Sequence, residues 1–446
     1  MKKGSADLLA AGFGITVAMW AVAYVGRLPV VEAPSFLIGL AALAAPVAGG
    51  WIAGTRGTRG WKGGAASGAI AGLLNLLVIG SLISGDTPNA IHPGAAVWAP
   101  LSIAAMALLG ALGAAAGAKR FDPARPAPPW TAWFARVATA ATFLLLVAGG
   151  VVTSNQAGLA VVDWPNSFGY NMFLYPVTRM TGGIYYEHAH RLLGSLVGLT
   201  TLVLAIHLLR TESRAWVKRV AIAAFALVVL QGILGGLRVT GKFTLSDDPA
   251  FTEPNIYLAV AHGILGQVFF AVMATLAAIV SPTWTSPRAA APHRAASTDR
   301  GLGATLVALL VVQLALGALQ RHLAWGLWIH LTLAFAVAGL AVAVGVRAWG
   351  IHPDKPELAR AGKILMGVTA LQFGLGFGAF VVTGGLTGSA ISGAWNVVVR
   401  TAHHGTGAIL LAAAVVCVAW GRRLVALPLQ RPFDTASASE GLSSAR

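Results

Sequence analysis

Four histidines occupy matching places in an internal repeat. His190 and His262 are 72 residues apart, His330 and His403 are 73 apart, and the two pairs are offset by 140 and 141 residues. Each begins a long apolar run, and each has a small residue four positions on: Gly194, Gly266, Ala334 and Gly407. Positions i and i+4 share a helix face, so each imidazole has room beside it for a flat macrocycle to approach the backbone. Ionisable side chains inside membrane segments are rare and point to function by default. A lone histidine in an apolar helix is more often a hydrogen-bonded structural residue. Four in register read instead as two bis-histidine haem sites, one in each half of the repeat. His404 also has a small residue at i+4, Ala408, but choosing it would stretch the second spacing to 74, so His403 is preferred.

The richest cluster is Glu187-His188-Ala189-His190-Arg191. Glu187 and His190 are three apart on one helical face. A carboxylate there can move protons or offset a developing cation; it can equally cap a helix N-terminus, where an acid is favoured. Arg191 and Arg238 in the first half, and Arg321 and Arg400 in the second, lie near the outer surface. They suit haem propionates, which match the guanidinium fork, and interfacial snorkelling is the competing reading for each. His188 faces away from His190, His322 lies at an outer turn, and His207 lies at the wrong depth. His92, His293 and His352 fall in loops, so none of these six is assigned as a ligand.

The elements that must hold these residues follow from composition. Of 446 residues, 57% are hydrophobic and 10% charged, and the mean hydropathy is +0.74. A soluble domain carries about 25% charged residues, so the expected class is an all-α polytopic membrane protein. A span needs about 20 predominantly apolar residues. Twelve such runs occur, at about 8–26, 35–54, 64–84, 95–118, 137–153, 188–208, 217–238, 256–280, 302–320, 325–346, 364–383 and 396–420. The net charge of +16 is not a nucleic-acid signature, because Lys and Arg cluster in alternate connections, from Lys2 and Lys3 through Lys119, Arg120 and Arg214 to Arg422 and Arg423. This positive-inside pattern places both termini in the cytoplasm and all four histidines in the outer half of the membrane. The opposite connections carry Asp86, Asp163, Glu187, Asp247, Asp248 and Glu253. The first run is read as an uncleaved span rather than a signal peptide, although Ala21-Val22-Ala23 resembles a cleavage site. The single Cys417 allows no internal disulfide or thioether attachment, so any haem is held noncovalently.

Residues 1–120 read as a four-helix module of unknown role, rich in Gly and Ala for close helix packing. Residues 131–281 and 301–423 read as two pseudo-symmetric four-helix bundles, joined by a cytoplasmic linker at 282–300 and followed by a disordered tail at 424–446. Gln231-Gly-Ile-Leu-Gly235 recurs as Gln313-Leu-Ala-Leu-Gly317 and as Gln372-Phe-Gly-Leu-Gly376. All four histidine helices run from outside to inside, so the halves relate by an axis along the membrane normal rather than by inversion. Only the first half has long outer loops, at about 154–187 and 239–255. Function tends to sit on elaborated loops, so the first half reads as the substrate side and the second as a compact cofactor holder.

Gly158-Leu-Ala-Val-Val-Asp163-Trp164-Pro165, then Glu187-x-x-His190-Arg191, then Gln231-Gly-x-Leu-Gly-Gly-Leu-Arg238-Val and Ala261-His262, resembles the haem A synthase family of cytochrome oxidase assembly. Gln313-x-x-x-Gly317, His330 and His403-x-x-x-Gly407-Ala408 resemble its C-terminal half. The resemblance covers about 131–423; residues 1–120 fall outside it. It implies an eight-helix core, haem b between His330 and His403 with Arg321 and Arg400, and substrate haem O between His190 and His262 with Arg191 and Arg238. It implies oxidation of the haem O C8 methyl to a formyl through hydroxylated intermediates, with Glu187 beside the reacting methyl. Implied partners are a haem O synthase, oxidase assembly factors and a membrane electron acceptor such as quinone, in the cell's inner (cytoplasmic) membrane. The cysteine pair that bacterial relatives carry in outer loops is absent. A di-haem, quinol-linked electron-transfer protein with no haem-modifying activity is the alternative, and a transporter ranks below both.

Overall fold

The computed structural model describes residues 5–28, 31–57, 59–81, 84, 87–240 and 255–428. Lys2, Lys3, Asp86, Asp247, Asp248, Glu253, most of the second long outer loop and the tail from 429 onward lie outside the described residues. Long apolar segments become helices because lipid offers the backbone no hydrogen-bond partner. In chain order they are α1 (Ala6–Gly26), α2 (Ser35–Arg56), α3 (Gly60–Ile79), α4 (Ala95–Ala118), α5 (Trp130–Ser154), α6 (Gly182–Thr211), α7 (Ala215–Thr240), α8 (Ile256–Ile279), the short α9 (Pro282–Thr285), α10 (Ala296–Leu323), α11 (Leu327–Gly350), α12 (Pro356–Val382) and α13 (Ala394–Leu424). Eleven of these are long and apolar enough to cross a membrane among the described residues, which makes the chain a multi-pass membrane protein. The third apolar run is also helical, as the 20-residue α3, but is not one of the eleven.

Contacts between helices group them. α5 packs against α6 and α8, and α7 against α6 and α8. α10 packs against α11 and α13, and α12 against α11 and α13. α13 also packs on α5 and α8, and α10 on α8, so these four helices form the seam between the two groups. The tight α10–α11 turn is made by Ala324 (φ 51°) and Gly326 (φ 86°). A left-handed conformation costs glycine nothing, which lets the second group dispense with a long loop here. Arg321 and His322 still belong to α10 rather than to the turn.

The first four helices join the rest mainly through α1, which packs on α5. Within them the backbones touch: a methyl at Gly50 would strike the carbonyl of Gly110, and one at Gly54 the carbonyl of Ala114. Such contact gives van der Waals packing where lipid removes the hydrophobic drive. This module also supports the long loop between α5 and α6. Val177 N–H donates to the Ser81 carbonyl at 3.1 Å and Asn171 N–H to Asn89 Oδ1 at 2.7 Å. The loop itself is folded, with β1 (Asn166–Ser167) paired antiparallel to β2 (Tyr170–Asn171). Asp163 closes that turn by accepting from Phe168 N–H at 2.7 Å and Gly169 N–H at 2.9 Å.

At the opposite end, Asp299 accepts from Arg347 at 2.7 Å and lies 2.9 Å from His352 Nε2. Arg423 donates to the Arg288 and Ser286 carbonyls, tying the 282–300 segment to the end of α13. The first residues of the expected tail, Val425 and Ala426, pair in parallel with Ala291 and Pro292. The disordered reading therefore does not describe residues 424–428.

Candidate functional site

Each of the four histidines meets a glycine of the preceding long helix. A methyl built on Gly149 of α5 would lie 3.0 Å from Cε1 of His190 on α6, and one on Gly235 of α7 would lie 3.4 Å from Cε1 of His262 on α8. In the second group, Gly317 of α10 meets His330 of α11 and Gly376 of α12 meets His403 of α13, both at 3.1 Å. Each ring also lies beside the carbonyl one turn before its glycine, those of Leu145, Gln231, Gln313 and Gln372. Among the described residues no hydrogen bond is completed at any of the four Nδ1 atoms. A proton on Nδ1 turned toward that carbonyl leaves Nε2 as the lone-pair nitrogen, the arrangement metal-bound histidines favour.

α6 and α8 stand diagonally across the first group, since both pack on α5 and α7. The His190 and His262 rings face each other there, with centroids 6.3 Å apart and planes at 80°. A metal–imidazole bond is about 2.0–2.1 Å and the ring nitrogen lies about 1 Å from the centroid, so two axial imidazoles on one metal sit about 6 Å apart. The measured separation matches. Space is left for a macrocycle as well: a methyl at Gly194 meets nothing within 4 Å, and one at Gly266 meets only Gln231 Oε1 at 4.0 Å. Among the described residues no three His, Cys, Asp or Glu side chains converge as a bare metal centre would need. Paired histidines are what an iron already held in a macrocycle plane requires, so the residues fit haem. His330 and His403 are also neighbours within electrostatic range.

His403 and His404 part company. His403 faces Gly376, in the same relation as the other three ligand candidates, whereas His404 turns to the seam. There its Nδ1 lies 3.3 Å from Gln267 Nε2, and its ring rests against Gly150 of α5.

Glu187 is buried, 4% exposed. Its Oε1 accepts from Arg191 Nη2 at 2.8 Å and its Oε2 from the Val161 N–H at 2.8 Å. The capping alternative is ruled out: α6 begins at Gly182, five residues earlier, and has no acid in its first turn. Arg191 departs from its expected place at a propionate. Its Nη1 donates to the carbonyls of Asp163 (2.6 Å) and Asn166 (3.0 Å), and its Nη2 to that of Val161 (2.8 Å) as well as to Glu187. The fork is committed to the outer loop, because curled backbone carbonyls must be satisfied when buried. Arg321 is likewise drawn to the seam, where its Nη2 donates to Ser154 Oγ at 2.7 Å and to the Gly150 carbonyl at 3.2 Å. Arg400 reaches Asn396 Oδ1 at 3.2 Å. Arg238 lies over Gly158, with no side-chain hydrogen bond among the described residues. His188 Nδ1 lies 3.1 Å from Ser167 Oγ and His207 Nε2 lies 2.9 Å from Thr131 Oγ1, while the other nitrogen of each ring is buried without a hydrogen-bond partner among the described residues.

Sequence reasoning missed the four facing glycines. The recurring Gln-x-x-x-Gly was visible, but its glycine stands 27, 13 and 27 residues before the histidine it meets, and no fixed spacing links them.

Paired imidazoles 6.3 Å apart, on diagonal helices of a multi-pass membrane protein, form a candidate site for a haem held between two histidines. A sequence model of the family described as cytochrome oxidase assembly protein matches residues 170–329. A heme A synthase from Beijerinckia indica is 29% identical over 209 residues, covering 41% of this chain and 56% of the relative. A heme A synthase from Listeria monocytogenes is 25% identical over 144 residues, covering 32% and 42%. A protoheme IX farnesyltransferase from Haloarcula marismortui is 30% identical over 136 residues, covering 30% and 27%. The chain thus spans about half the length of the heme A synthases it matches. The family match at 170–329 and the two heme A synthases are what this chain is similar to, in keeping with the motif run from Gly158 to His262.

Proposed function

We propose that this chain acts as a haem A synthase in cytochrome oxidase assembly, converting the C8 methyl of haem O to a formyl group through hydroxylated intermediates. The observation that carries this reading is the His190–His262 pair at 6.3 Å beneath a folded outer loop, in a chain whose relatives are named heme A synthase. In this reading α5–α8 and α10–α13 are two pseudo-symmetric four-helix bundles. His190 and His262 hold substrate haem O, and His330 and His403 hold haem b. When bound, haem b supplies one-electron redox chemistry toward a membrane acceptor such as quinone. Arg238 and Arg400, the less committed guanidinium groups, take propionates. Arg191 fixes the outer loop and Arg321 the seam between the bundles. The loop at 155–181, held by Glu187, Arg191 and Asp163, covers the outer mouth of the first site.

Glu187 is the group for proton transfer. Oxidising the methyl to a formyl builds positive charge on that carbon, takes one oxygen atom from water, and releases four protons with four electrons that leave to the membrane acceptor. A buried carboxylate one turn from His190 offsets the charge and accepts a proton. The positive-inside pattern sets both termini in the cytoplasm of a cell whose inner membrane holds the enzyme.

The test is expression in a host that makes haem O but no haem A, followed by haem extraction and mass identification. Appearance of haem A is the expected result. Haem O alone, from folded protein with bound haem b, would favour a di-haem electron-transfer protein instead.

A further inference from the structure

The proposed reaction leaves unexplained the glycines set against the imidazoles. Gly149, Gly235, Gly317 and Gly376 lie five or six residues before the ends of α5, α7, α10 and α12. They share one depth, and each touches the ring of the next long helix. Helix propensity favours alanine over glycine at such interior positions, so four glycines here run against the local preference. Carbon atoms settle about 3.5–4.0 Å apart. A methyl at 3.0 Å from His190, or at 3.1 Å from His330 or His403, is therefore too close, whereas one at 3.4 Å from His262 makes ordinary contact.

We propose that Gly149, Gly317 and Gly376 are positioning residues that set the height and tilt of His190, His330 and His403, an inference that rests on the bis-histidine reading above. The glycine limits how near the ring approaches its own hairpin partner. The backbone one turn earlier (Leu145, Gln231, Gln313 or Gln372) lies beside the same ring. A methyl on the glycine drives the ring inward by a few tenths of an ångström, against a metal–nitrogen distance of about 2.0–2.1 Å that tolerates little change. Loss of a ligand's supporting shell costs about 10–100-fold in metal affinity.

The test uses the purified, haem-loaded protein and four variants: Gly149→Ala, Gly235→Ala, Gly317→Ala and Gly376→Ala. Gly339→Ala in α11 is the control, because a methyl there meets nothing within 4 Å. The readouts are the low-spin bis-imidazole signals in electron paramagnetic resonance and the rate of haem transfer to a haem-scavenging apoprotein. Gly317→Ala and Gly376→Ala should release the haem held by His330 and His403 about tenfold faster or more, with its signal shifted and the other pair's signal unchanged. Gly149→Ala should do the same to the first pair, and Gly235→Ala should have the smallest effect. Wild-type signals and release rates in Gly317→Ala and Gly376→Ala would overturn the proposal, as would equal changes in Gly339→Ala. Misfolding is separated by placing Gly317→Ala in a His330→Gly protein supplied with free imidazole. An untethered ligand can move aside, so a restored low-spin signal supports the proposal; no restoration, where His330→Gly alone is restored, overturns it. A wild-type protein without low-spin bis-imidazole signals would remove the bis-histidine reading itself, a result distinct from any of these.

Discussion

Replacing Glu187 separates its chemistry from its structural duty, because the structure defines both. The carboxylate accepts from Arg191 Nη2 and from the Val161 N–H, each at 2.8 Å, in a pair whose side chains are 8% and 6% exposed. Glu187→Ala removes both acceptors and leaves the Arg191 cation buried without an anion, at a cost of about 3–5 kcal/mol. Glu187→Gln keeps the shape and one acceptor oxygen and loses the charge. Arg191 retains the Asp163, Asn166 and Val161 carbonyls, but it still loses its anion, and the amide NH2 of Gln leaves one of the two donors without an acceptor, so this change should destabilise the loop, though less than Glu187→Ala does. The loop at 155–181 should then open less in the Gln variant than in the Ala variant. General acid–base groups contribute about 10²–10⁴-fold to rate, so haem A from Glu187→Gln should fall about a hundredfold or more while haem b stays bound. Limited proteolysis of the loop and chromatography of extracted haems measure the two effects in one preparation. Normal haem A output from Glu187→Gln would make the carboxylate purely structural. Loop cleavage in Glu187→Gln as fast as in Glu187→Ala would refute the energetic separation.

Three further outcomes are expected. His330→Ala should abolish the b-type band in the reduced-minus-oxidised spectrum while His190→Ala spares it; the opposite pattern would exchange the roles of the two bundles. His403→Ala should lose that band and His404→Ala keep it, since only His403 faces its glycine. In the connection after α6, the Arg214 guanidinium pulls the Glu212 carboxyl down to about 2 from an ordinary 4.5. Its stabilising effect is therefore complete above 4.5 and lost as pH falls through about 2. The pair is partly solvated and contributes well under about 1 kcal/mol, so thermal scans of Glu212→Gln should run parallel to wild type between pH 5 and 8, and a gap that changes across that range would contradict this account.

The amino-acid sequence by itself determined the helical elements and picked out candidate residues. Apolar runs of about 20 residues can only be helices in lipid, and helices appear at all twelve. Matched spacing brought out His190, His262, His330 and His403 because the repeat copies a helix depth, a one-dimensional quantity. The tertiary structure decided what depends on neighbours from distant segments. Glu187 looked equally suited to a helix cap, and Arg191 to a propionate. The start of α6 at Gly182 and the curl of residues 161–166 over it turned that pair into the loop's anchor. Arg321 left the expected haem edge because α5 offers Ser154 and the Gly150 carbonyl across the seam. The glycines facing the imidazoles were in plain view but carried no meaning in one dimension. Which helix faces which ring depends on hairpin length and crossing, and a residue without a side chain declares its purpose only through the atom that comes to rest against it.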